Sequence, residues 1–319
     1  MTYKLLANDG IDPIGKIKLE EAGIIVDTNS VPQAELLNVL PNYDAITVRS
    51  ATKIRQDLID ACPNLKVIGR GGVGMDNIDV EYAKEKGIAV VNTPAASSHS
   101  VAELVFSHLF TGVRFLYDSN REMPLKGASN FNELKKKYAK GSELSGKVLG
   151  IIGFGRIGRE VGKIALGLGM HVYAYDINEV PAELSLNFAN GATISLPIKS
   201  ASLDEIFVNA DFISVHTPFM EKPIIDEQAF SKMKDGVGIV NCSRGGIICE
   251  ESLINALNAE KVSFAGLDVF ENEPKPSNAI LAHPKVSLSP HIGASTNEAQ
   301  ERIGLELAEL IINSLKNRS

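Results

Sequence analysis

An α/β protein built from two parallel-sheet domains is what this 319-residue sequence predicts, and three observations carry that reading. Short apolar segments alternate with longer amphipathic ones almost throughout, the pattern of strand–helix–strand units in a parallel sheet. A glycine motif, Gly153-Phe154-Gly155-Arg156-Ile157-Gly158, stands directly between one such apolar segment and an amphipathic one. The length exceeds one ordinary domain and suits two.

In order along the chain, the first third predicts strands at 3–7, 24–26, 45–48, 66–69 and 89–91, with helices fitting at 13–22 and 54–61. A long helical pattern opens near Ser98 and runs to about Tyr117. Residues 123–146 are different: polar, lysine-rich and poor in periodicity. A strand at 148–152 then starts a second series, with further strands near 171–175, 192–195, 212–216, 238–242, 263–269 and 286–289. Residues 296–315 read as one amphipathic helix with Ile303, Leu307, Leu310 and Ile311 on its apolar side. The best partition is interrupted. Residues 98–288 form a dinucleotide-binding domain, and residues 1–97 with 289–319 form a substrate-binding domain. The active site is expected in the cleft between them.

Composition narrows the function classes. The chain is 44% hydrophobic and 22% charged, with a formal charge of −7, so the overall field repels nucleic acid and anionic membranes. A small anionic substrate must therefore be captured by local positive groups. No apolar run reaches the roughly 20 residues that span a bilayer, and the opening residues lack the features of a signal peptide. Cys62, Cys242 and Cys249 are an odd number without a close pair, which predicts reduced thiols, no metal site and a cytoplasmic setting.

The glycine motif carries a specific chemistry. Gly153 permits a tight turn, Gly155 lets backbone approach a pyrophosphate, and Gly158 lets the helix pack on the strand. The pyrophosphate then meets a helix N-terminus, where free N–H groups and the dipole favour negative charge. Asp176 ends the following strand, where a carboxylate can hydrogen-bond a ribose 2′-OH and would repel a 2′-phosphate. The cofactor predicted is NAD. A second glycine run, Gly69-Arg70-Gly71-Gly72-Val73-Gly74, lacks both the immediate helix and a following acid. It reads as a loop of exposed N–H groups suited to a carboxylate.

Arg244, Glu273 and His291 each follow a strand of the second series, and ligands of open α/β sheets bind beyond the carboxyl ends of strands. Their chemistry is complementary. His291 titrates near neutrality and can take a hydroxyl proton. Glu273 would stabilise an imidazolium, and Arg244 can orient a carboxylate and polarise a carbonyl.

The segments Asn241-Cys242-Ser243-Arg244-Gly245-Gly246, Leu267-Asp268-Val269-Phe270-Glu271-Asn272-Glu273-Pro274 and Ser289-Pro290-His291-Ile292-Gly293-Ala294 resemble successive signatures of the D-2-hydroxyacid dehydrogenases. The likeness covers nearly the whole chain and implies two Rossmann-like or flavodoxin-like domains. Within the family it is greatest to members that oxidise 3-phosphoglycerate, on Val48-Arg49-Ser50, Gly71-Gly72-Val73-Gly74 and Asn92-Thr93-Pro94. By position, the resemblance implies His291 as acid/base, Glu273 as its partner and Arg244 as the substrate-orienting cation. Val73 and Gly74 would hold the α-carboxylate, and Arg49, with Arg70 second, the phosphate. Beside Gly153, Gly155, Arg156, Ile157, Gly158 and Asp176, the cofactor would touch Thr217, Pro218, Cys242 and Asp268.

The reaction so implied is oxidation of 3-phospho-D-glycerate to 3-phosphohydroxypyruvate, the first step of serine biosynthesis. The alternatives are a glyoxylate/hydroxypyruvate reductase or another D-2-hydroxyacid dehydrogenase and, more remotely, an NAD(H)-sensing corepressor-like protein. A homodimer through the nucleotide domain is implied by resemblance, and Lys135-Lys136-Lys137 is read as a solvated face or as charge lent to a neighbouring site. Two departures stand out: Cys249 occupies a position that is acidic in many relatives, and the 123–141 segment lacks their tryptophan. The sequence stops after the final helix, so the likeness is to the short form without a serine-binding regulatory domain.

Overall fold

The computed structural model describes residues 2–316. Its contacts divide the chain into two units, one holding the residues up to Ser98 together with those from Ala294 on, the other His99–Gly293. The return crossing falls after Gly293 and not after 288. The reason is local: the buried Asp268 carboxylate accepts the Ile292 and Gly293 N–H groups at 2.8 and 2.9 Å, tying them to the second unit.

The first unit contains β1 (Lys4–Ala7), α1 (Pro13–Glu21), β2 (Ile25–Asp27), α2 (Leu36–Val39), β3 (Ala45–Val48), α3 (Gln56–Asp60), β4 (Val67–Arg70), α4 (Val80–Glu85) and β5 (Ala89–Asn92). The strands form one parallel sheet in the order β2-β1-β3-β4-β5, a flavodoxin-like arrangement. Leu5 and Leu6 are both fully buried, because helices cover both faces of the sheet. Pro13 starts α1 after the Asp12 cap, whose carboxylate accepts the Ile14 N–H.

The second unit, from the second residue of α5 (Ser98–Val113) onward, holds α6 (Leu116–Lys137), then β6 (Val148–Ile152), α7 (Arg156–Gly167), β7 (His171–Tyr175), β8 (Glu183–Asn187), β9 (Thr193–Pro197) and β10 (Lys199–Ser200). It continues through α8 (Leu203–Asn209), β11 (Phe212–Val215), α9 (Glu227–Lys232), β12 (Val237–Asn241), α10 (Glu250–Asn258), β13 (Val262–Leu267), α11 (Asn278–Leu281) and β14 (Val286–Leu288). The final helix, α12 (Asn297–Lys316), belongs to the first unit. There it covers the sheet so closely that a Cβ on Gly69 would lie 3.0 Å from Leu307 and Ile311 methyls.

The large sheet runs β10-β7-β6-β11-β12-β13-β14 and is parallel throughout. Its chain order reverses between β6 and β11, the point where such sheets bind ligands. Two expectations are corrected here. The strand expected at 192–195 is not in this sheet; it lies in β9, paired antiparallel with β8 as a separate hairpin turning at Gly191. Leu184 and Leu186 alternate inward along β8 while their neighbours face solvent, the pattern of a strand with one covered face. The aperiodic stretch after Met123 is also helical, in two segments that meet at a kink at Asn130 (φ −128°) and end at Lys137. Glu122 accepts Lys126, Lys137 and the Tyr138 hydroxyl at 2.9, 2.9 and 2.7 Å, so charge pairing supplies order where apolar periodicity does not.

Candidate active site

All the carboxyl-edge features of the large sheet lie in the second unit. Gly153 follows β6 with φ +91°, and a Cβ there would meet the His216 carbonyl carbon at 2.7 Å. Gly155 caps α7 in extended conformation, with open space where its side chain would be. A Cβ on Gly158 would lie 2.2 Å from the Gly153 oxygen. Three glycines thus have three different requirements, and only Gly155 leaves room for a ligand. Arg156 is exposed and Ile157 half-buried in the first turn of α7.

Asp176, just beyond β7, accepts the Phe154 N–H at 2.6 Å through Oδ2 and the Asn178 N–H at 2.9 Å through Oδ1. The carboxylate is thereby locked to the glycine loop. Beyond β11, two buried polar atoms lack a partner: His216 Nδ1 and Thr217 Oγ1. Burial pushes the His216 pKa down to about 3, so its ring stays neutral, and Nε2 is shared with Ser214 Oγ at 2.8 Å. Unsatisfied buried atoms beside an open glycine loop are what a dinucleotide site presents before its ligand supplies the missing partners. These residues fit NAD. Pro218 is exposed after them, and Cys242, at the end of β12, is buried with its thiol pKa pushed well above the ordinary value by burial.

The catalytic candidates come from the next three strand ends. Asn241 holds the Arg244 loop, accepting Ser243 N–H at 3.0 Å and donating to the Arg244 carbonyl at 2.8 Å. Gly245 is pressed against the following loop, where a Cβ would sit 1.9 Å from the Phe270 oxygen. That loop delivers Glu273, whose Oε1 accepts the Phe270 N–H at 3.0 Å. Glu273 Oε2 lies 2.9 Å from His291 Nδ1. Burial alone would raise the Glu273 pKa; the hydrogen bond and charge of His291, the Phe270 amide and the Arg244 charge outweigh it and hold it low. His291 has a left-handed backbone, φ +54°, fixed by its N–H donating to the Asp268 carbonyl at 2.8 Å.

Asp268 is 1% exposed, and its carboxylate accepts Ser289 Oγ–H at 2.6 Å as well as the two loop N–H groups. It is therefore a clasp for the His291 loop, a task that sequence alone did not reveal.

The first unit holds the other candidates. Asp9 accepts the Arg49 N–H at 2.6 Å, and Asn77 donates to the Arg49 carbonyl at 2.8 Å, fixing the backbone. The Arg49 guanidinium has no partner among the described residues and lines a cavity of about 500 Å³ with Asp9, Val48, Gly71, Gln300 and Glu301. Arg70 folds back over Gly72: its Nη1 donates to the Gly71 carbonyl at 3.1 Å and sits 1.5 Å from where a Gly72 Cβ would be. The Val73 and Gly74 backbone is held by Asn92, whose amide donates to the Val73 carbonyl at 2.7 Å.

Comparison with known proteins gives the family. Residues 106–293 match the family "D-isomer specific 2-hydroxyacid dehydrogenase, NAD binding domain", and the chain belongs to that family. It is thus an NAD-dependent D-2-hydroxyacid dehydrogenase. Among its relatives, the hydroxypyruvate reductase of Thermotoga maritima is 44% identical over 98% of both chains. The D-3-phosphoglycerate dehydrogenase of Sus scrofa is 39% identical over 99% of this chain but only 57% of its own length. A glyoxylate reductase structure from Paecilomyes thermophila has a TM-score of 0.84 at 30% identity, covering 100% of this chain and 97% of its own. Among the described residues no helix is long and apolar enough to cross a membrane.

Proposed function

We propose that the chain oxidises 3-phospho-D-glycerate to 3-phosphohydroxypyruvate with NAD, the entry step to serine. NAD, when bound by the glycine loop, Asp176, Thr217 and Pro218, accepts the hydride from C2. His291 takes the C2 hydroxyl proton at Nε2, because Nδ1 is engaged by Glu273. Ionised Glu273 keeps the ring oriented and stabilises the imidazolium as it forms. Arg244 holds the substrate carboxylate and, in the reverse direction, polarises the carbonyl. Val73 and Gly74 N–H groups are the first unit's own candidates for binding a carboxylate.

The observation that carries the phosphate is Arg49. An unpaired, half-buried guanidinium at the wall of a cavity favours a dianion it can grip with two N–H groups. In this reading Arg49→Ala raises the KM for 3-phosphoglycerate by about tenfold or more, the loss of roughly 1.4 kcal/mol, and leaves that for glycerate unchanged. An equal effect on both substrates removes the phosphate assignment.

A second reading has its own support. The Thermotoga maritima relative aligns end to end and is a hydroxypyruvate reductase. The same His291, Glu273 and Arg244 chemistry serves an unphosphorylated 2-oxo acid. An NADH-linked panel of 3-phosphoglycerate, glycerate, hydroxypyruvate, glyoxylate and D-lactate separates the two.

A homodimer through the nucleotide unit is part of the proposal. Support comes from exposed Phe110, Leu116, Leu125 and Phe131 on α5 and α6, apolar surface that a partner would cover. Light scattering of Leu125→Lys with Phe131→Lys against the parent checks it. A cytoplasmic location likewise remains part of this reading.

A further inference from the structure

A buried histidine outside the catalytic set is wired to it. His108 lies near the end of α5, 4% exposed, with Nδ1 2.9 Å from Ser287 Oγ and Nε2 3.0 Å from Ser289 Oγ. The sheet makes room for the ring: on β13 a Cβ at Gly266 would fall 2.5 Å from the His108 Cβ. Proton counting then fixes the direction at Ser289. Ser289 has one hydroxyl hydrogen and gives it to Asp268 Oδ1 at 2.6 Å, so towards the ring it can only accept. His108 Nε2 must therefore carry the hydrogen, and in a neutral ring Nδ1 accepts from Ser287. Burial lowers the His108 pKa, against a raising influence from the Asp268 charge, which agrees with a neutral ring.

We propose that His108 is a positioning residue for His291, acting through Ser289 and Asp268 as a one-way hydrogen-bond relay. The far end of the relay is the clasp already described. Asp268 holds the Ile292 and Gly293 N–H groups through its side chain and the His291 N–H through its carbonyl. His291 stands in a left-handed conformation that non-glycine residues seldom adopt, so it depends on that clasp to stay there. With Ser289 oriented by His108, the Asp268 carboxylate has a single orientation. Without it, Ser289 can rotate towards the ring site, and the clasp loses a charge-assisted bond. A catalytic base displaced by a fraction of an ångström loses rate more than it loses binding.

The inference rests on His291 as the proton-transfer group, and the test separates the two. The variants are His108→Leu, Ser289→Ala, their double, His108→Gln and His291→Ala, assayed with NADH and whichever 2-oxo acid the parent reduces best. His108→Leu and Ser289→Ala are each expected to lower kcat about tenfold, the size of a misplaced catalytic group. NADH affinity should stay within about twofold, since none of these residues is in the glycine loop. The double variant should be no slower than the slower single, because both break one relay. His108→Gln, which can donate to Ser289 and accept from Ser287, should recover part of the loss. Nitrogen-15 NMR of the His108 ring should show the neutral Nε2–H tautomer across neutral pH, a readout that holds even where a variant fails to fold. The proposal is overturned by kcat within twofold of the parent in folded His108→Leu or Ser289→Ala, by multiplicative losses in the double, or by an Nδ1–H tautomer. Full turnover in His291→Ala would instead remove the reading on which the relay rests.

Discussion

The two glycine runs share a spelling and differ in build. Each follows a parallel strand, β6 in the second unit and β4 in the first. After β6 the chain passes directly into the twelve-residue α7, so N–H groups and helix dipole point together at Gly155 and the space there is open. After β4 the chain enters no helix at once, and the space over Gly72 is filled by the protein's own Arg70. One loop leaves its backbone clear beside Gly155; the other has a guanidinium laid across it at Gly72. A glycine pattern therefore marks exposed backbone, and the next element of the chain decides which ligand that backbone can meet.

That contrast can be broken in graded steps. The largest effect is expected from Gly158→Ala: its Cβ would sit 2.2 Å from the Gly153 oxygen. Forcing the loop open should destabilise the protein by about 1–3 kcal/mol, as overpacking does, and weaken NADH binding by two orders of magnitude or more, read by fluorescence titration. Gly155→Ala comes next and sharpens the argument. Nothing occupies its Cβ position, so Tm should hold while the NADH Kd rises about tenfold, one methyl displacing a phosphate contact. Gly72→Ala should do the reverse: NADH Kd unchanged, Arg70 displaced, and the hydroxyacid KM raised several-fold in steady-state assays. A matching rise in NADH Kd there would mean that the two loops do not serve separate ligands.

The smallest effect concerns Glu273. Its carboxyl pKa is held below the ordinary 4.5, so its ionised form stabilises the fold at neutral pH, and that contribution is lost as pH falls through the lowered value. The side chain is about a third exposed, which limits the contribution to below about 1 kcal/mol. In urea titrations the gap between parent and Glu273→Gln should be widest near neutrality and close under acid conditions. A gap that widens on acidification contradicts the His291–Glu273 pairing.

Much of this was legible in the residues because it obeys local rules. Strands of the first unit lie within about a residue of where apolar runs place them, and β6, the glycines and Asp176 come one after another in sequence. Arg244, Glu273 and His291 could be singled out as candidates because each stands just past a strand, and Glu273 does pair with His291 at 2.9 Å. What escaped were features without a local signature. The helix ending at Lys137 is kinked at Asn130, and Glu122 reaches across the kink to Lys137 and Tyr138, a full fifteen and sixteen positions away. The β8–β9 hairpin reads as one more strand of an alternating series, since pairing direction leaves no mark on composition. His108 meets Ser287 and Ser289 across separations of 179 and 181 residues, a distance at which no periodicity speaks. Asp268 was visible only through family likeness, and its task as a clasp only through its partners.

The interrupted layout of the first unit sets an order of assembly. Its strands β1 to β5 are made before α12, yet one face of the sheet is covered only in part, by Leu19 of α1, until α12 brings Leu307 and Ile311 against Gly69. The nucleotide unit is one continuous stretch and can close on itself as soon as β14 and the residues to Gly293 emerge. Synthesis delivers residues at roughly 5–20 per second, so about 200 further residues hold the early sheet half-covered for roughly 10–40 seconds. The earlier-made strands of the first unit are therefore the last to receive their full cover.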